Sequence, residues 1–231
     1  MTQQASTCLC RCLLNTHHLF SRRNTMRTQW FGDRRDVVKW ALLVRLAEDN
    51  TAARIIQVAC RWAKEEDKSE SWDGYEKQIA TFFQKRRKLE SIEELQKFLS
   101  LKQEIEMLDP PVASKDDPQR EYFMQVFQEL KKRTYRKVVL LDPDTGLQPG
   151  KRSTERHITL ENVKTTYESL GSGDFLVIYQ HKPLFEKKEE DWKEARRKKL
   201  ATIKEIKNEI QIGENLDIAK DVVFFYVQKA E

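Results

Sequence analysis

The chain has 231 residues, enough for one α/β domain with its own core and no need of metal or disulfide staples. Charged residues make up 34% and hydrophobic ones 39%, which is too apolar for a disordered chain, and eleven Phe, six Tyr and five Trp supply a packed interior. The formal net charge of +5 permits an anionic partner without demanding one, and no run of about 18 apolar residues exists to form a membrane-spanning helix.

Residues 1–25 differ from the rest. They hold Arg11, Arg22, Arg23 and several Ser and Thr, with no acidic residue before Asp33. This reads as a presequence or as an over-extended start with Met26 as the true beginning, so the domain is placed at 26–231. Cys8, Cys10 and Cys12 alternate and Cys60 stands apart; no second pair completes a metal site. Reduced thiols in a cytoplasmic protein are expected.

Along the chain, Asp36 to Asp49 places Val37, Val38, Ala41, Leu42 and Leu46 at helical spacing, with Asp33 or Asp36 able to cap the start. Ile55 to Trp62 is short, apolar and β-branched and reads as a buried strand, followed by a polar loop closed by Asp73 and Gly74. Helices are predicted over 75–88 and 91–101, the second opened by Ser91 and Glu94 at capping-box spacing. Pro110, Pro111 and Pro118 mark 108–118 as a loop. A helix over 121–132 puts Phe123, Val126, Phe127 and Leu130 on one face.

Lys137 to Leu141 is the clearest strand. The prolines and glycines of the following DPDTGLQPG argue against further regular structure there. A helix over 160–170 stops at the glycines of 171–173, and Phe175 to Gln180 forms another apolar strand. A long, interrupted charged helix is predicted over 186–212 with Gly213 as its terminator, and Val222 to Val227 is a final strand. Helices alternating with strands that are apolar on both faces predict a Rossmann-like α/β fold, a mostly parallel sheet covered by helices.

In such a sheet, ligands gather beyond the carboxyl ends of the strands. Asp142 and Asp144 stand at such an end, where an extended turn can aim both carboxylates at one point. Such a pair binds Mg²⁺, accepts a proton or orients an amine, or else only caps a turn. Pro143 stiffens that turn and Gly146 permits a positive φ. Tyr179 to Lys182 brings an amide, an imidazole and an ammonium to a second strand end. Asp142, Pro143, Asp144, His181 and Lys182 are therefore the candidate catalytic residues. Asp33, Arg34, Arg35, Asp36 and Lys39 crowd a helix start, which suits either an anion or simple capping. The basic run Lys193 to Lys199 suits phosphates or a solvated helix face.

Asp142-Pro143-Asp144-Thr145 at a strand end, followed by a helix and an apolar strand, resembles the DPPY tetrapeptide of the amino-methyltransferases that modify adenine. The opening FGDRRDVVKWALLVRL resembles the start of minimal bacterial 23S ribosomal RNA adenine-N6 methyltransferases, with Gly32, Asp33, Asp36, Val37 and Lys39 on their pattern. A looser resemblance, over 26–231, is to bacterial proteins sharing FGD, DPD-G-L and a YQH strand. The resemblance implies that Asp142 holds the target amine, and that Gly32, Asp33, Asp36 and Lys39 lie near S-adenosylmethionine. The sequence departs from the pattern in two places. Cys60-Arg61-Trp62 stands where a glycine-rich cofactor turn is expected, and Thr145 replaces the aromatic that stacks on the base.

Three functions follow as expectations. One is S-adenosylmethionine-dependent methyl transfer to a base of RNA or DNA. The second is a metal-dependent nuclease, since Pro143-Asp144 and a strand carrying Gln180 and Lys182 resemble a variant PD-(D/E)xK pattern that holds Mg²⁺. The third is a non-catalytic binding module on a degenerate Rossmann-like sheet.

Overall fold

The computed structural model describes residues 33–60, 79, 97, 99–110, 117–150, 157–183, 189–206 and 209–230. Helix α1 (Arg34–Asp49) begins at Asp33, whose carboxylate accepts hydrogen bonds from the Arg35 and Asp36 amides at 2.9 Å each. Strands β1 (Arg54–Ala59) and β2 (Glu104–Leu108) follow, then α2 (Pro118–Lys131), which Asp117 caps, with Pro118 at the first helical position. Next come β3 (Lys137–Asp142) and the short strands β4 (Gly146–Leu147) and β5 (His157–Ile158). Helix α3 (Leu160–Glu168) opens with a complete capping box between Thr159 and Asn162. The described chain closes with β6 (Phe175–His181), α4 (Glu189–Leu200), β7 (Gln211–Gly213) and β8 (Val222–Gln228).

The main sheet has the order β2-β1-β3-β6-β8-β7. Its first four strands are parallel, while β8 runs antiparallel to both neighbours. The chain leaves β1 towards β2 and returns to β3 on the other side of β1. The switch point of the doubly wound sheet therefore lies between β1 and β3, and ligands of such sheets bind beyond the carboxyl ends of the strands there. The predicted Rossmann-like α/β fold is observed, with a mixed rather than wholly parallel sheet.

Strand alternation divides the core. Ile55, Val138, Leu140, Val177 and Phe224 face α1 and pack on Trp40, Leu43 and Val44. Ile56, Val139, Leu141, Ile178 and Phe225 face the other way, against α2, α3 and α4 through Val126, Tyr167 and Trp192. Each such side chain contributes about 1.5–3 kcal/mol by leaving water. No helix among the described residues is long and apolar enough to cross a membrane.

Four sequence readings are corrected. Glu104–Leu108, unassigned from sequence up to residue 107 and read as loop at Leu108, is edge strand β2; Glu104 and Glu106 serve as ion-pair partners of Arg54 while Ile105 enters the core. The stretch DPDTGLQPG does contain regular structure, because Gly146 and Leu147 pair with His157 and Ile158. The strand from Ile55 ends at Ala59, before Trp62. Helix α4 ends at Leu200, and Gly213 is the last residue of β7 rather than a helix stop. An ideal Cβ on Gly213 would stand 2.7 Å from Leu42 Cδ2, so its smallness serves packing against α1. Of the helices predicted over 75–88 and 91–101, only Ile79, Lys97 and Leu99 are among the described residues read as helical.

Candidate functional site

The alternation that builds the core also selects the site. Gln57 on β1, Asp142 on β3 and Tyr179 and His181 on β6 share the parity of Ile55, Val138, Leu140 and Val177, so all project towards α1. The first turns of α1 lie over the same sheet edge. Lys39 is buried there with its ammonium 3.0 Å from Asp142 Oδ2 and in contact with Asp36 Oδ1. Gln57 Nε2 donates to the same Asp142 Oδ2. Burial opposes the charge on Lys39, but Asp142 and Asp36 outweigh it and hold its pKa above the usual range.

Both contacts fall on one oxygen. Asp142 Oδ1 accepts no hydrogen bond among the described residues, and the side chain keeps 13% exposure. Cys60, directly after β1, has its thiol pKa pushed up, first by burial and then by Asp142, with Asp144 and Asp109 adding to it. Asp144 and Thr145 are half-buried and Pro143 is buried in the turn that follows β3.

A second network adjoins the first. Asp221, just before β8, receives Arg35 Nε at 3.0 Å and Arg35 Nη2 on Oδ2, and His181 Nε2 stands 3.3 Å from the same oxygen. Burial raises the Asp221 pKa, but the bonds from His181 and Arg35 prevail and hold it below the usual carboxylate range. His181 Nδ1 lies 2.9 Å from the Lys182 carbonyl, and the Lys182 amide donates to Asp221 O at 2.7 Å. Tyr179 is buried beneath Arg35, with its pKa raised by that burial.

Sequence-predicted residues are thereby partly united. Asp142, Asp36 and Lys39 form one cluster; His181, Lys182 and Arg35 form the neighbouring one through Asp221. Gly32 lies outside the described residues. Gln57 and Asp221 were missed. The one polar residue within IIQVA was the available signal for Gln57, and for Asp221 only its place before an apolar strand.

At the α1 start the capping alternative is observed: Asp33 accepts from the Arg35 and Asp36 amides, and Asp221 takes the Arg35 guanidinium. Burial, and then Asp36, push the Asp33 pKa up to about 6, a further sign that negative charge is crowded here. The basic run of α4 is also largely matched within the fold: Lys193 pairs with Glu214, Arg197 and Lys198 with Glu194, and Lys199 donates to Gln148 O. A cavity of 580 Å³ lies at the opposite sheet edge, around Lys137 and Asp174, away from these clusters.

Among the described residues, no three His, Cys, Asp or Glu side chains are grouped to hold a metal ion. No protein-family model matches the chain, and no curated protein is significantly similar to it.

Proposed function

We propose that the chain is a methyltransferase-like protein that binds an amine-bearing base of RNA or DNA against Asp142 and takes S-adenosylmethionine as methyl donor. The observation that carries this reading is Asp142 itself: a carboxylate at the end of a central strand, beside the switch point, held by Lys39 and Gln57 through Oδ2 with Oδ1 left to accept from a ligand. The donor set suits the cofactor. The carboxylates of Asp33, Asp36 and Asp142 gathered at this edge favour a cationic sulfonium over a phosphate. S-adenosylmethionine, when bound, supplies an electrophilic methyl group. The chain's own part is to orient the amine and keep its lone pair directed, with Lys39 fixing the carboxylate.

The Mg²⁺ nuclease reading would use the same Asp142 Oδ1, but among the described residues no three His, Cys, Asp or Glu side chains are grouped to complete a metal site around it. The test is calorimetric titration with S-adenosylhomocysteine, followed by transfer of labelled methyl from S-adenosylmethionine to unmodified ribosomal RNA. Saturable binding and labelling are expected, with labelling lost in Asp142→Asn while the fold and S-adenosylhomocysteine binding remain. Binding without labelling turns the reading to a binding module, and no binding of either ligand overturns it.

A further inference from the structure

The two motifs DPDTG and YQHK are joined by one side chain. Gln180 is 1% exposed, and its strand parity sends it to the face opposite Asp142 and His181. There Gln180 Oε1 accepts from the Leu147 amide at 2.9 Å, and Nε2 donates to the carbonyls of Thr145 at 3.1 Å and His181 at 2.7 Å. A backbone bond from the His181 amide to Thr145 O, 3.3 Å, lies beside them. Gly146 completes the arrangement. Its φ is +101°, and a Cβ there would stand 2.6 Å from Gln180 Cδ and Oε1. The turn after Asp142 therefore closes directly onto the Gln180 amide plane, which only glycine allows.

We propose that Gln180 is a positioning residue that clamps the Asp142–Leu147 turn to the end of β6 and so fixes where Asp142 and Asp144 stand relative to His181. The bearing on ligand binding rests on the function proposed above; the clamp does not. A buried primary amide suits the task, because it must accept from one backbone group and donate to two others at once, and no aliphatic or acidic side chain of that size does both. Two of its three bonds tie residues on either side of Gly146, so the turn is held at two points rather than hinged at one.

Gln180→Glu tests this with a signature that mere packing does not give. The introduced carboxylate keeps the shape and the acceptor for Leu147, but when ionised it turns an oxygen on the two carbonyls. When protonated it donates to one of them again. Amide protection factors from hydrogen exchange should fall at least tenfold for Leu147 and His181 at pH 8, recover at least in part at pH 5, and stay constant for the β1–β3 amides. In the same protein, affinity for S-adenosylhomocysteine should weaken at pH 8 and recover at pH 5. Gln180→Leu should show the loss at both pH values without recovery. Unchanged Leu147 protection in Gln180→Glu, or a uniform loss across the domain at both pH values, would overturn the clamp. If the wild-type chain fails to bind S-adenosylhomocysteine, the exchange arm still decides the clamp while the functional reading falls alone.

Discussion

Lys39 and Asp142 are 103 positions apart in sequence, yet their charged groups meet at 3.0 Å beneath the first turns of α1. Asp36, three residues before Lys39, closes the group from the helix side. One ammonium therefore bridges two carboxylates in a buried place. Lys39→Met should leave Asp36 and Asp142 facing each other without a cation and cost about 3–5 kcal/mol, read by chemical denaturation. Adding Asp142→Asn should restore part of that loss. Strict additivity of the two changes would mean that the residues are not coupled.

Asp33 and Asp221 give opposite responses to pH. The Asp33 pKa is raised from 3.8 to about 6, so the folded state holds its proton more tightly than the unfolded chain. Stability from this group is greatest in acid and declines as pH rises through that window, by up to about 3 kcal/mol. Asp33→Asn keeps a capping oxygen and should flatten the slope.

For Asp221 the folded pKa is depressed, so its contribution is present above the ordinary carboxylate range and is lost on acidification. Asp221→Asn should be less stable than wild type at pH 7, with the gap closing as pH falls below about 4. Denaturation midpoints measured at steps between pH 3 and 8 check both signs. Parallel curves for wild type and either variant would contradict the assignment for that residue.

At the far edge of the sheet, Lys137 and Asp174 form an ion pair of 2.6 Å with both side chains 2% exposed. The carboxylate also accepts from the Lys137 amide at 2.9 Å and the Gly171 amide at 2.8 Å. Asp174→Ala removes the acceptor for two backbone donors as well as the counter-ion, and should cost more than Lys137→Met, which leaves the carboxylate two amide partners. A loss of about 3–5 kcal/mol is expected for the former. Equal losses would mean that the amide bonds contribute little.

Much of the fold was legible because β3, β6 and β8 are buried on both faces, and uninterrupted apolar runs such as VVLL and VVFFYV announce that. The elements that escaped lie at the rim. In β2, Glu104 and Glu106 alternate with Ile105, which reads as polar until Arg54 and Arg133 are seen to answer the carboxylates. β7 holds three residues inside a charged stretch, too few to carry a period of two. The site was legible as separate pieces. Asp142 and His181 announced themselves by their strand ends, but nothing local indicates that Lys39, amid Val37, Val38, Trp40 and Ala41, is buried as the counter-ion of a residue so distant. Gln180 stood within a motif quoted for its neighbour His181, and its role depends on facing the other way.

The sheet order has a consequence for how the chain assembles. β8, the last described strand in sequence, occupies a slot between β6 and β7, pairing with each of them. Until residues 222–228 emerge, β7 has no partner in the sheet, β6 ends the parallel array as a bare apolar edge, and Arg35 lacks the Asp221 carboxylate that lies 186 positions away. During synthesis the growing chain thus exposes a strand edge of the kind that recruits other strands, until β8 with its neighbour β7 covers it. Completion also brings Asp221 to Arg35 across 186 positions, the slow kind of contact to form. The edge that carries the candidate site acquires its Asp221 network in that same step, so the ordering of that edge and protection from aggregation arrive together.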